Sequence, residues 1–303
     1  MKRKLIYTLA LALAMQTLAW NQEADSLMKL VLENNRTLTV AREASQTAIL
    51  RAGTGNTPPD PEFEFGYLFG NPAQIGNKVN ILVKQEMDFP TAYAHRAKLK
   101  DIRRSRAELE YLQIRQEVLS EARQLWIRQV HLNQLSRLLN KRLQKAETIR
   151  SDVYEMMNAG EVGPLEYSQA NLMVASIESE FEEVQSQLEN TRLALLQMTG
   201  GQDIEVRDTL FPGPIPIVED TLLADYRMGP GAQLHQQDRY EKERETSLAR
   251  SEHLPKISAG YFSEAIPAEA FRGFTVGISV PLWENSHTIK TARSALIQSC
   301  LLY

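Results

Sequence analysis

Hydrophobic and polar positions change period several times along the chain, and each change predicts an element. From Ser26 to Ala52, residues Leu27, Leu30, Val31, Leu38, Ala41, Ala44 and Ala48 fall on or near one stripe of a helix. The Gly, Thr, Asn and Pro residues between Gly53 and Pro61 end it. Two stretches of period two follow. Phe63, Phe65, Tyr67 and Phe69 alternate with Glu64, Gly66 and Leu68, and Val79, Ile81, Val83, Gln85, Met87 and Phe89 alternate with Lys78, Asn80, Leu82, Lys84, Glu86 and Asp88. A strand pair with one oily and one mostly polar face suits a half-buried sheet on a soluble core. It equally suits a hairpin with lipid outside and water inside. Alternation alone leaves both settings open.

After Pro90 there is neither Pro nor Gly between Thr91 and Ala159, and helix formers dominate, which predicts one very long helix. Val118, Leu125, Leu132, Leu139, Ala146 and Val153 recur every seventh residue, joined by Leu135, Ile149 and Met156 at the three-residue offset. The segment Asn158 to Pro164 breaks the seam, with glycines suited to a helix end and a proline suited to the next start. The return leg repeats Tyr167, Val174, Phe181, Leu188 and Leu195, with Ala170, Ile177, Val184, Thr191 and Met198 three residues on. Gly200-Gly201 ends it. The pattern specifies an antiparallel coiled-coil hairpin with further helices beside it. Its legs do not match: Ala94 to Met157 is about 95 Å long and Pro164 to Thr199 about 55 Å. Another helix is expected to continue the return leg, and Ala232 to Glu252 is suited to it.

The chain then starts again. Past a proline-rich linker at Phe211 to Pro216, the segment Leu222 to Tyr261 repeats the order of Leu27 to Tyr67: helix, Pro-containing break, alternating strand. Gly273 to Leu282 parallels Gly76 to Gln85. The expected organisation is a signal peptide at 1–19, a first repeat at 20–201, a linker at 202–221 and a second repeat at 222–303. Only Asn285 to Tyr303 follows the last strand, against a helix of about 64 residues in the first repeat, so the second repeat is expected to be incomplete. A fragment, a truncated gene and a frameshift all account for that.

Charge and the N-terminus narrow the classes. Among 303 residues, 34 Lys and Arg stand against 38 Asp and Glu, a net charge of −4 that offers no positive field for nucleic acid. Lys2, Arg3 and Lys4 precede an apolar run from Leu5 to Met15 and then Thr17-Leu18-Ala19, the pattern of a cleaved export signal. The run is shorter than the roughly 20 residues of a membrane-crossing helix. No later run is long enough either, so any crossing would be by strands. The single cysteine, Cys300, forms no intrachain disulfide.

No chemistry-bearing constellation appears. Gly53-Thr54-Gly55 lacks the strand and helix of a phosphate loop. His95, His131, His235, His253 and His287 are dispersed and never at the spacing of a zinc pair. Glu178, Glu180, Glu182 and Glu183 read as a solvated coiled-coil face. No catalytic, cofactor-binding or metal-binding residue is assigned, and no enzyme activity is expected.

The order of parts resembles the TolC-like outer-membrane efflux family. The resemblance rests on the signal peptide, the two strand pairs, Val280-Pro281-Leu282-Trp283 at a strand end, the tip from Met157 to Ala170, and the small-residue ending from Leu193 to Gly200. It implies a homotrimer in which each copy gives four strands to an outer-membrane barrel and helices to a periplasmic tunnel. It further implies a passive conduit for small molecules or ions, working with a periplasmic adaptor and an inner-membrane pump. Phe63, Phe65, Tyr67, Val79, Ile81, Val83, Phe274, Val276 and Ile278 then face lipid. Asn158, Ala159, Gly160, Glu161, Val162, Gly163 and Leu165 form the tip that meets the adaptor, although a plain helix-reversing turn needs the same glycines. With the second hairpin missing, no gate residue is carried over. The alternatives are a periplasmic coiled-coil adaptor or scaffold that never enters lipid, and a non-functional truncated copy.

Overall fold

The computed structural model describes residues 24–72, 75–207, 219–267, 269–281 and 287–301. The expected signal peptide, the prolines of the linker, and Leu282 and Trp283 lie outside them. In chain order the elements are α1 (residues 24–34), α2 (Arg36–Ala52), β1 (Glu62–Leu68), β2 (Lys78–Met87), α3 (Pro90–Asn158), α4 (Pro164–Met198), α5 (Glu219–Met228), α6 (Pro230–Ser251), β3 (Lys256–Ile266), β4 (Glu269–Ser279) and α7 (Thr288–Leu301). The chain divides into two compact units, one of residues 1–42 and 113–218, the other of residues 43–112 and 219–303. These are not the sequence repeats, because the strand pairs of both repeats join in one sheet.

The first unit is the helical hairpin. Leu27, Val31 and Leu38 pack with Val118, Ala122, Trp126, Val130, Leu195 and Val206 in one apolar cluster. Farther along the hairpin, Leu132, Leu139 and Val184 form a second cluster, and Ala146, Val174 and Ile177 a third. These are heptad positions, as the periodicity requires. Ile149 and Met156 depart from the expected seam, being 42% and 41% exposed. The third cluster draws only on α3 and α4, and a two-helix seam covers a narrow stripe. Where α1 also packs, a broader face of α3 is buried and takes in Trp126.

The expected single helix from Ser26 to Ala52 is two helices. Asn35, 4% exposed, accepts the Leu38 N–H on its Oδ1 at 3.1 Å and so caps α2. Its Nδ2 donates to the Met198 carbonyl oxygen at 2.9 Å, tying α2 to the end of α4. Beside this clamp Gly200 has φ +70°, and a Cβ there would lie 2.5 Å from the Asn34 carbonyl oxygen. Only glycine tolerates both the backbone conformation and the approach.

In the second unit the strands form one antiparallel sheet in the order β1-β2-β3-β4. The first part of α3 buries Ala92, Leu99, Ala107 and Leu109 and runs antiparallel to α6, to which ion pairs fasten it. Arg96 meets Glu252 at 3.0 Å, Arg103 meets Glu241 at 2.7 Å and Glu245 at 2.8 Å, and Arg106 meets Glu241 at 2.9 Å. Thus α6 lines the first part of α3. Helix α7 packs against α6. Among the described residues no helix is long and apolar enough to cross a membrane.

Candidate functional site

The sheet has two unlike faces, and strand register decides which residues share them. Partners directly opposite in an antiparallel pair point to the same side. Phe63 lies opposite Val83, Phe65 opposite Ile81, and Tyr67 opposite Val79. In turn Val83, Gln85 and Met87 lie opposite Tyr261, Ala259 and Ile257. These lie opposite Phe274, Val276 and Ile278. All nine strand residues singled out in the sequence therefore share one face. That face is strongly open in this chain, with Phe63 69%, Phe274 88% and Val276 79% exposed. Two edge-to-face ring pairs stand on it or at its rim, Tyr261 with Phe274 and Tyr67 with Phe69.

The opposite face carries Glu62, Glu64, Lys78, Asn80, Lys84, Glu86, Lys256, Ser258, Glu264, Glu269 and Thr275, interspersed with Leu68, Leu82, Phe262, Ile266 and Phe271. Its charges pair across strands, Lys78 with Glu264 at 2.6 Å and Lys84 with Glu62 at 3.9 Å. Its many charged and polar positions suit a surface that meets water. The connections β1–β2 and β3–β4 lie at one end of the sheet, while the sequence neighbours α2, α3, α6 and α7 all join it at the other.

The hairpin tip is built by local backbone chemistry. Gly160, at φ +78°, ends α3 with a Glu161 N–H to Met156 carbonyl hydrogen bond of 2.9 Å, the left-handed closure of a helix. Gly163 is extended and Pro164 opens α4, with Glu166 in its first turn. Asn158, Ala159, Gly160, Glu161 and Leu165 are exposed, whereas Val162 and Gly163 are half-buried. Tyr154 and Tyr167 pack across the two legs as a tilted ring pair with centres 5.3 Å apart.

The ion cluster between α3 and α6 has its own electrostatics. Burial works against the charge on Glu241, but hydrogen bonds from Arg103 and Arg106 and their charges prevail and hold its carboxyl below the ordinary range. For Arg103 and Arg106 burial likewise opposes the charge; Glu241 and Glu245 outweigh it for Arg103, and Glu241 with Glu110 of α3 for Arg106, so both guanidinium groups are raised. Sequence reasoning missed this cluster. Its signal was the matched spacing of Arg96, Arg103 and Arg106 against Asp238, Glu241, Glu245 and Glu252. Among the described residues no group of three or more His, Cys, Asp or Glu side chains is placed to hold a metal ion.

No protein-family model and no curated protein matches the chain. Its fold, however, is that of solved outer-membrane channels. The CmeC outer membrane channel of Campylobacter jejuni superposes with a TM-score of 0.75 at 18% identity, over 93% of this chain and 66% of that one. CusC, in a structure of folding and transmembrane channel formation, gives 0.75 at 15% identity, over 93% and 71%. The Vibrio cholerae outer membrane protein VceC gives 0.72 at 13% identity, over 92% and 74%. The chain thus spans about two thirds of the length of CmeC.

Proposed function

We propose that this chain is the outer-membrane channel component of an efflux or export system, a passive conduit for small molecules or ions with no enzyme activity. The sheet carries this reading: one face is apolar and exposed, the other carries paired charges, and the helices that connect to the strands, α2, α3, α6 and α7, all join at the end away from the strand turns. In a bilayer such a sheet turns its oily face to lipid and its charged face to water. Four strands do not close a barrel, and open edges are not tolerated in hydrocarbon, so copies must complete the ring. A homotrimer of twelve strands is the assembly proposed, with the helices in the periplasm and the tip from Asn158 to Leu165 as the contact for an adaptor that links it to an inner-membrane pump.

The decisive substitution is Ile81→Arg, which places a charge mid-strand at a cost of about 2–4 kcal/mol if that face meets lipid. The expected outcome is loss of a heat-sensitive oligomer from the outer-membrane fraction. Undiminished assembly of the variant overturns the orientation, and release of the wild-type chain by osmotic shock overturns the barrel. At the tip, replacing Val162 and Leu165 with Asp is expected to abolish adaptor crosslinking while the oligomer persists. Unchanged crosslinking would reduce the tip to a turn.

A further inference from the structure

The apolar face of the sheet is interrupted once by charge. Arg272 on β4 lies opposite Ser263, which lies opposite Ile81, which lies opposite Phe65. It therefore stands on the same face as the nine apolar strand residues. Among the described residues it is the only charged side chain there. It is exposed and has no ion-pair partner among them. Two lysines of the other face contrast with it: Lys78 and Lys84 are both held by carboxylates.

The position of Arg272 along the strand matters as much as its face. It sits one row in from the pair Val79 and Ala265, near the end of the sheet that carries the turns. At that end an open recess of about 810 Å³ is lined by Tyr67, Phe69, Val79, Ala265, Ile266 and Pro267 among others. Its polar part is the Tyr67 hydroxyl, which accepts a 2.6 Å hydrogen bond from the Asn77 amide. Arg272 itself lies on β4, three strands across from Tyr67, and puts a lone cation close to the end at which the apolar surface stops.

We infer that this rim binds the anionic, phosphate-bearing headgroup of a membrane lipid, with Arg272 on the phosphate and the acyl chain along Phe65, Ile81 and Phe274. The inference rests on the proposed membrane seating of the sheet. Charge complementarity selects the occupant. In a lipid of no net charge the phosphate is balanced by the headgroup's own cation, whereas the phosphate of an anionic lipid is free to match the guanidinium's planar fork of donors. The aromatic rim residues sit where such side chains favour the membrane–water boundary. A generally attractive protein surface does not supply the same preference, since the whole chain carries a net charge of −4.

Flotation of the full chain with vesicles tests it, comparing neutral phosphatidylcholine with a mixture containing phosphatidylglycerol at low salt. The wild type is expected to bind the anionic vesicles about fivefold more tightly, the contribution of one basic side chain near an anionic surface. Arg272→Gln is expected to abolish that preference while still floating with both vesicle types, and Arg272→Lys to keep part of it. Helicity by circular dichroism checks that the variants are folded. A preference that survives Arg272→Gln, or that disappears instead with Lys256→Gln on the opposite face, overturns the headgroup site while leaving the membrane seating intact. Absence of flotation with either vesicle type overturns the seating and the site together.

Discussion

Two stretches of α3 lie in one unbroken helix and differ in how they are fastened to their neighbours. From residue 118 to residue 146 the helix is fastened by apolar side chains: Val118, Ala122, Trp126, Val130, Leu132, Leu139 and Ala146 are all buried. From residue 96 to residue 106 its fastening to α6 is ionic, through Arg96, Arg103 and Arg106. Apolar burial is nondirectional and tolerates a partner of many shapes. A guanidinium paired with two carboxylates fixes rotation and register of one helix against another. The first stretch therefore gains its stability from area, and the second gains its geometry from charge.

The largest way to break the contrast is at Trp126, which is 5% exposed in the main apolar cluster. Trp126→Ala is expected to cost about 3–5 kcal/mol, whereas Ile149→Ala, 42% exposed on the same helix, should cost less than about 1 kcal/mol. Urea unfolding followed by circular dichroism compares the two. An intermediate effect is expected in the ionic stretch. Glu241→Gln leaves Arg103 and Arg106 without their shared carboxylate, a loss of about 1–3 kcal/mol. Hydrogen exchange should then rise at residues 96–106 and stay unchanged at 118–146. Equal loosening of both stretches would break the comparison.

Acid sharpens the same contrast. The Glu241 carboxyl is held below its ordinary value of 4.5 in the folded chain. Its contribution is therefore complete above that value and is lost as the pH falls through the lower, folded one. Exchange protection of α6 should decline below pH 4.5, in a step that Glu241→Gln removes. The smallest effect is expected at the exposed pair Arg104 and Glu108, at 3.2 Å on one helix face. Arg104→Gln should change stability by about 0.5 kcal/mol or less, within a salt-sensitive difference that thermal melts at two ionic strengths detect.

What could be read from sequence follows the range of the interaction. Heptads, the glycine and proline at the tip, and the alternation of Phe63 to Tyr67 are local periodicities, so the hairpin and the strand pairs were legible. The opposition of Val83 and Tyr261 depends on partners far apart in the chain, so alternation within each strand could not join the two repeats into one sheet. Arg272 was within reach of the alternation, two residues before Phe274 on the same parity, but only the pairing sets it opposite Ser263 and in one row with Ile81 and Phe65. Asn35 sat inside a stripe that read as one continuous helix. Its capping role depends on the Met198 carbonyl oxygen, 163 residues away. Trp126 fell beside the heptad positions, and it is buried because more than one helix surrounds α3 there.

The strand count has a consequence of parity. With four strands in strictly antiparallel order, the outer edge of β4 runs opposite to the outer edge of β1. A second copy set against the first in the same orientation therefore pairs β4 with β1 antiparallel, and the alternation of directions passes from copy to copy without a seam. An odd number of strands would force a parallel junction at every boundary. The same free edges also mean that chains failing to close a ring add to one another without limit, so aggregation should compete with assembly wherever lipid is absent.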